Sequence, residues 1–258
     1  MTNEHPPNDD GLILADILDA LAGDVALAFS HQAEDVVVLH LLKTHARRPV
    51  EVFTLDTQKL FPQTEAYHAA VERFFALSIH RVLPAPEEIG PLEADLGPWG
   101  MRHSLENRHR CCDTRKVAPL KRALAGKSAW ITGLRAAQSV TRTALQRLEY
   151  DETHRLIKIN PIASWSEQEV FDYVACHGLP LHPLYGEGFR SIGCAPCTRA
   201  VGPDEDLRAG RWWWENPEHK ECGLHLRPAT APAAAFTATF PATFTTPPGF
   251  PGTELPHE

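Results

Sequence analysis

Short apolar runs alternate with longer amphipathic segments over most of the chain. The runs at residues 25–29 and 50–55 each predict a short buried strand. Between them, a segment beginning near Glu34 and rich in Val and Leu predicts a helix, after a turn over residues 30–33. Strand, helix and strand in this order predict a βαβ unit.

The alternation continues on both sides of this unit. Helices are predicted over residues 11–23, 62–77 and 116–125, and strands over residues 79–83 and 129–132. Because strands that alternate with helices pair in parallel and are covered on both faces, the chain is predicted to be an α/β protein with a mostly parallel sheet flanked by helices.

The carboxyl-terminal part has fewer regular elements. Ser166 and Glu169 form a capping box that opens a helix closed by Gly178, with Cys176 in its last turn as a predicted apolar core residue. After Leu184 the sequence is loop-like, and residues 226–258 consist mainly of Ala, Thr, Pro and Phe. We predict one domain over residues 1–225 and a disordered tail over 226–258.

Charge and composition restrict the possible functions. The 258 residues carry 25 Lys and Arg against 33 Asp and Glu, a net charge of −8 that opposes nonspecific binding to nucleic acid. The amino terminus has no basic and apolar leader, and no apolar run approaches the ~20 residues that span a bilayer. These features predict a cytoplasmic protein without a membrane partner, and leave open whether it forms a homo-oligomer.

Polar residues follow the first two predicted strands, at the ends where α/β proteins bind ligands. Ser30 in the first loop is either a helix cap or a ligand group. Asp56 in the second loop either accepts a hydrogen bond from a ribose hydroxyl or caps the next helix. The residues alone do not decide between these alternatives.

Four of the six cysteines fall into two local pairs, Cys111 with Cys112 and Cys194 with Cys197. Two such pairs can bind a [4Fe–4S] cluster or a zinc ion. Adjacent side chains diverge, which suits separate irons better than a single ion, so the cluster is favoured and zinc stays an alternative.

Cys222 lies outside both pairs, next to Gly223. The polar and cationic neighbours His219, Lys220 and His225 favour a thiolate and therefore a nucleophile. The alternative is a buried structural thiol.

Several motifs together resemble the phosphoadenylyl-sulfate reductase family of the PP-loop (adenine nucleotide alpha-hydrolase-like) superfamily, in particular its assimilatory adenosine 5′-phosphosulfate reductase branch. The resemblance spans about residues 20–225 and rests on CCDTRK at 111–116, GLR at 133–135 with QSVTR at 138–142, IGCAPCTR at 192–199, GRWWWE at 210–215 and KECGLH at 220–225. ATP-cleaving members of the superfamily carry a Ser-Gly-Gly loop, where this chain has Ser30, His31 and Gln32.

The resemblance implies an activity. Cys222 would attack the sulfur of adenosine 5′-phosphosulfate, AMP would leave, and thioredoxin would release sulfite from the S-sulfocysteine, in sulfate assimilation and cysteine biosynthesis. It implies a [4Fe–4S] cluster on Cys111, Cys112, Cys194 and Cys197. It also implies a set of substrate-binding residues: Ser30, Leu55, Lys116, Gly133, Arg142, Arg208 and Arg211.

Other expectations concern the carboxyl-terminal segment and competing activities. Trp212, Trp213 and Trp214 are predicted to anchor this segment to the core, with stacking on adenine as an alternative. The segment after about Asp204 is predicted to move as a lid. Competing hypotheses are reduction of the 3′-phosphorylated substrate, a PP-loop sulfurtransferase or ATP pyrophosphatase, and a zinc-stabilised nucleotide-binding regulator.

Overall fold

A computed structural model describes residues 9–138, 145–216 and 223–224. Its centre is a six-stranded sheet with strand order β3-β2-β1-β4-β6-β5. The strands are β1 (Val25–Ala28), β2 (Glu51–Leu55), β3 (His80–Val82), β4 (Ala129–Ile131), β5 (Leu148–Asp151) and β6 (Leu156–Ile159). All neighbours pair in parallel except β5 and β6, which are antiparallel. The predicted α/β class with a mostly parallel sheet is confirmed.

Seven α-helices accompany the sheet in the described ranges: α1 (Asp9–Ala20), α2 (Ala33–His45), α3 (Pro62–Phe75), α4 (Pro86–Leu96), α5 (Leu105–Cys112), α6 (Ala118–Leu124) and α7 (Glu167–Cys176). Helix α2 is the most deeply buried, because it contacts α1 and α7 as well as the main core. Its residues 33–39 are all buried, including Glu34 and Asp35. Two carboxylates in a buried first turn require polar partners.

The order of the strands creates a switch point. From β1 the chain runs to β2 and β3 on one side, and then returns to place β4 on the other side of β1. The loops after β1 and β4 therefore diverge at the carboxyl edge of the sheet and leave a crevice between them, where α/β proteins bind ligands.

The sequence pattern missed β5, β6, α4 and α5. Helix α5 has the sequence LENRHRCC, and its buried residues are Arg108 and Cys112. A helix that buries an arginine and a cysteine has no apolar periodicity to detect. Strands β5 and β6 form a short hairpin at the edge of the sheet, where alternation over four residues is a weak signal.

The capping box of α7 is confirmed, since the Ser166 hydroxyl and the Glu169 carboxylate each bind the other residue's backbone N–H. The prediction that Cys176 is a core residue is wrong, because Cys176 is exposed at the last position of this helix. Its position in the last turn puts it on the solvent side of an amphipathic helix. No helix in the described ranges is both long and apolar enough to cross a membrane.

Candidate functional site

A cleft with a volume of about 170 Å³ opens at the carboxyl ends of β1, β2 and β4. Six residues that the resemblance assigns to substrate line it together: Ser30, Leu55, Lys116, Gly133, Arg208 and Arg211. They come from five chain segments that meet at the switch point of the sheet. Arg142, the seventh, lies outside the described residues.

The loop after β1 is held by Asp35. The Ser30 hydroxyl and the Ser30 backbone N–H both donate to Asp35 Oδ2, at 2.5 and 2.6 Å. Gln32, not Ser30, occupies the cap position of α2. Ser30 is therefore not a helix cap and remains a candidate ligand group.

His31 takes the left-handed backbone conformation, with φ 67°, in a loop where ATP-cleaving members of the superfamily have glycines. This conformation is costly for a side-chain-bearing residue. The buried His31 ring makes a 2.9 Å hydrogen bond between its Nε2 and His68 Nδ1, which offsets the cost of this backbone conformation. Burial, with His68 next in effect, lowers the pKa of His31 to about 3, so the ring is neutral at physiological pH.

Asp56, at the end of β2, supports neither of its two predicted roles. Its carboxylate accepts from the Gln58 N–H at 2.9 Å and lies 3.4 Å from Arg81 Nη1. The cap position of α3 is Phe61, and Asp56 does not line the cleft. Thr57 and Leu55 line the cleft from this loop instead.

The loop after β4 is joined to the first turn of α2. The Gly133 N–H donates to Asp35 Oδ1 at 2.9 Å, and a Cβ at Gly133 would lie 2.3 Å from that oxygen. Arg135 is 1% exposed and donates twice to Glu34 Oε1, at 3.1 and 2.8 Å, and Gln138 Nε2 donates to the same oxygen. Sequence reasoning missed Glu34 and Asp35 as partners, because their helix position resembles an ordinary acidic first turn.

Cations line the cleft from two directions. Lys116 comes from the π-helical turn before α6, and Arg208 and Arg211 come from the segment after α7. Arg211 is 5% exposed, and its Nη1 donates to the Ile192 carbonyl at 3.2 Å while its Nε has no hydrogen-bond partner. A guanidinium at the wall of a cleft fits an anionic ligand. Arg190, which sequence reasoning did not select, lines the same cleft.

The four paired cysteines line one small cavity of about 20 Å³ beside this cleft, together with Met101, Lys116 and Trp212. None of the four is in a disulfide. Cys112, Cys194 and Cys197 are 7–9% exposed, and all four pack with Met101 and Trp212 in one apolar cluster. The structure thus brings together two pairs that are 81 residues apart in the sequence (194 − 112 − 1).

The thiols have different electrostatic environments. Burial raises the pKa of Cys197 to about 12, with the neighbouring Cys194 as the next cause. Burial also raises the pKa of Cys194. The Lys116 charge and a 3.3 Å hydrogen bond with Thr57 Oγ1 lower it by more, so the pKa lies below its ordinary value. Lys116 and Cys194 line both the cavity and the cleft, so the two sites share a wall.

The chemistry of these side chains fits an iron–sulfur cluster. Four thiols lie together outside any disulfide, three of them are buried, and Lys116 and Arg115 are near enough to lower the pKa of Cys194. Within the described ranges no three His, Cys, Asp or Glu side chains converge closely enough to hold a single metal ion. The binding of a cluster remains a prediction.

Trp212 anchors its segment as predicted. It is 1% exposed, and the guanidinium groups of Arg108 and Arg211 lie 4.7 and 4.8 Å from its ring centroids. Trp214 packs partly buried against the same cluster. Cys222 and the predicted tail over 226–258 lie outside the described residues, and the predicted motion after Asp204 stays a prediction.

Comparison with known proteins identifies relatives over most of the chain. The family model for the phosphoadenosine phosphosulfate reductase domain matches residues 24–200. The adenosine 5′-phosphosulfate reductase of Allochromatium vinosum is 50% identical over 203 residues, which is 79% of this chain and 79% of that protein. The enzyme of the same name from Agrobacterium fabrum is 44% identical over 217 residues, 83% of each chain.

Solved structures share the fold. The phosphoadenylyl-sulfate reductase of Candida auris in its phosphate complex superposes with a TM-score of 0.60 at 24% identity, covering 78% of this chain and 98% of that one. Yeast FAD synthetase has a TM-score of 0.51 at 15% identity, and the match covers 74% of this chain and 64% of that one. The matching family model and the relatives that share 44–50% of their residues with it show that this chain belongs to the phosphoadenosine phosphosulfate reductase family.

Proposed function

We propose that the chain reduces adenosine 5′-phosphosulfate to sulfite and AMP, with thioredoxin as the reductant. Cytoplasmic sulfate assimilation would use the sulfite for cysteine biosynthesis. The observation that carries the proposal is the shared wall between a cation-lined cleft at the switch point and a cavity lined by four cysteines that are in no disulfide. The names of the relatives at 44–50% identity support the same substrate.

The cleft has the charges that this substrate requires. A sulfuryl group bonded to a phosphate presents several anionic oxygens, which repel a thiolate nucleophile unless cations surround them. Lys116, Arg208 and Arg211 line the cleft and would bind these oxygens. Arg211 is buried at the wall of the cleft, and its Nε–H has no hydrogen-bond partner. These cations would also stabilise the charge that develops on the departing phosphate.

Cys222 would be the nucleophile. Its thiolate attacks the sulfate sulfur, the bond from sulfur to the phosphate oxygen breaks, and AMP leaves with the electron pair. One thiol of thioredoxin then attacks the Cys222 sulfur and releases sulfite. The second thiol of thioredoxin then attacks this mixed disulfide, releases the Cys222 thiolate and leaves thioredoxin oxidised to its disulfide, which accounts for the two electrons. Leu224, two residues after Cys222, lines the cleft and packs against the cysteine cluster, which supports a place for this segment near the substrate.

Cys111, Cys112, Cys194 and Cys197 would hold a [4Fe–4S] cluster. With all four ligand positions filled by cysteine, the group would supply local charge and rigidity rather than an open iron. The chain contributes Lys116, which faces both the thiols and the cleft and so places one cation between cluster and substrate. The Thr57 hydroxyl adds a hydrogen bond to Cys194.

Two measurements test the proposal. Protein purified without oxygen should contain iron and acid-labile sulfide in equal amounts, and Cys112→Ser should lose both. Cys176→Ser is the matched control because Cys176 is exposed on α7 and should leave the iron content unchanged.

The second measurement is mass spectrometry after mixing with adenosine 5′-phosphosulfate. A sulfite adduct on Cys222, released by reduced thioredoxin, is the expected result. Iron-free protein that turns over normally would refute the cluster, and turnover of ATP instead would refute the reaction.

A further inference from the structure

The second cysteine pair lies on a turn whose backbone carbonyls are bound from two sides. This turn, residues 194–197, is here called the cysteine turn. The Cys197 carbonyl accepts the Trp212 N–H at 3.1 Å. The Pro196 carbonyl accepts two hydrogen bonds from Arg102, from Nε at 3.1 Å and from Nη2 at 2.6 Å. Because Arg102 comes from 94 residues earlier in the chain, this contact is a tertiary one.

The Arg102 guanidinium also lies over three tryptophan rings. Its carbon is 4.5 Å from the ring centroid of Trp99, 4.7 Å from that of Trp213 and 5.2 Å from that of Trp214. A cation within about 6 Å of an aromatic ring centroid is attracted to the ring face. Residues 212–214, here called the tryptophan segment, therefore contact the same side chain that binds the cysteine turn.

Arginine is the residue type that suits this place. A planar guanidinium can donate from its edge to one carbonyl while its face lies against aromatic rings, which a lysine ammonium cannot do. The neighbouring Met101 is 3% exposed and lines the cysteine cavity, so the chain around Arg102 forms part of the cavity wall. Neither Arg102 nor Trp99 belongs to a motif that carries the family resemblance.

We propose that Arg102 is a positioning residue that fixes the cysteine turn and couples its position to the docking of the tryptophan segment. Trp213 is nine residues before Cys222 (222 − 213), so the coupling connects the second cysteine pair with the chain that leads to the proposed nucleophile. The inference rests on the proposed function, since it concerns two of the four cysteines proposed to hold the cluster. Arg102 acts through Pro196 and not by contact with a thiol.

The first test measures how fast the chain, purified without oxygen, loses iron to bathophenanthroline disulfonate. Arg102→Leu should lose iron about tenfold faster than the native chain, the factor expected for loss of a charged hydrogen-bond donor. Arg102→Lys keeps the charge and one donor and should give an intermediate rate. Arg122→Leu is the matched control, because Arg122 donates to the Leu83 carbonyl at 3.0 Å from α6, and this variant should behave as the native chain.

The second test measures the coupling. Trp213→Leu removes one ring from the tryptophan segment and should speed iron loss about threefold in the native background. It should add nothing in Arg102→Leu, because the contact that it removes is then already absent. Additive effects of the two substitutions would overturn the coupling. Phe74→Leu, at a ring on α3 that is 50% exposed, should have no effect in either background.

Iron-free protein gives a readout that does not need the cluster. Cys197 is 7% exposed, and mass spectrometry measures the rate at which iodoacetamide modifies it. Arg102→Leu should raise this rate about tenfold, because the turn is no longer held at Pro196. If circular dichroism shows that Arg102→Leu does not fold, Trp99→Leu carries both tests. Trp99 is 53% exposed, and loss of its ring should speed iron loss and alkylation about threefold.

The outcomes separate this inference from the proposed function. Folded Arg102→Leu that loses iron and reacts with iodoacetamide at the native rates would overturn the inference and leave the proposed reaction intact. Equal acceleration by Arg122→Leu would also overturn it. A native chain that contains no iron would refute the proposed cluster, and the alkylation rate of Cys197 would then decide the inference.

Discussion

Arg108 and Glu215 form a buried ion pair that joins the cysteine-bearing helix α5 to the segment after Trp212. Arg108 Nε lies 2.7 and 2.9 Å from the two carboxylate oxygens, and the side chains are 0% and 8% exposed. Cys111 and Cys112 lie on this helix, and Glu215 is seven residues before Cys222 (222 − 215). The pair therefore connects the cysteine cavity with the chain segment that leads to the proposed nucleophile.

Glu215→Gln should lower the free energy of unfolding by about 3 kcal/mol, because it removes the negative charge that lies 2.7 Å from the buried Arg108 Nε. Chemical denaturation followed by circular dichroism measures this. Glu187→Gln is the control, because Glu187 is exposed. The same change there should lower the free energy of unfolding by less than about 0.5 kcal/mol. Equal effects of the two substitutions would show that the buried pair does not stabilise the fold.

Gly193→Ala should weaken binding of the nucleotide without unfolding the protein. A Cβ at Gly193 would lie 2.3 Å from Arg211 Nη2, and the guanidinium can move away while the backbone stays. Loss of this cation from the cleft should raise KM for adenosine 5′-phosphosulfate by about tenfold. Gly186→Ala has no atom within 4 Å of the new Cβ and should behave as the native chain. An unaltered KM in Gly193→Ala would exclude Arg211 from substrate binding.

Cys222→Ser should abolish turnover and the sulfite adduct while iron content stays at the native level, because a serine hydroxyl is a far weaker nucleophile at neutral pH. Iron analysis and mass spectrometry of the same sample measure both properties. A Cys222→Ser variant that still forms sulfite would assign the chemistry to another thiol. Cys176→Ser is the control, because it replaces the other cysteine outside the two pairs.

Stability should fall as the pH is lowered from 6.5 towards 4. Burial lowers the pKa of His182 from 6.5 to about 4 and that of His31 to about 3, so the unfolded chain binds protons in this range that the folded chain does not. At pH 5 each histidine should lower the free energy of unfolding by up to about 2 kcal/mol.

Denaturation curves at pH 7 and pH 5 measure this loss. His182→Gln should make the difference between the two pH values smaller, whereas His103→Gln, at an exposed position, should not. A pH dependence identical in all three proteins would mean that the buried His182 takes up its proton as easily in the folded state as in the unfolded one.

Prediction from the sequence succeeded where the signal is local. The apolar runs of β1, β2 and β4 and the capping box of α7 depend on neighbours a few residues apart, and all were predicted. Helix α5 was missed because its buried residue Arg108 owes its burial to Glu215, 107 residues away. Cys176 was misplaced because the pattern of one helix does not show which side its last turn presents.

The sequence by itself determined the α/β class, the two cysteine pairs and, through its joint motifs, the family. Only the tertiary structure decided how Asp35 and Glu34 are used, since the partners Gly133 and Arg135 lie 98 and 101 residues from them along the chain. The physical reason is that apolar periodicity records whether a residue is buried. The donors that a buried carboxylate pairs with depend on which distant loop is folded against it.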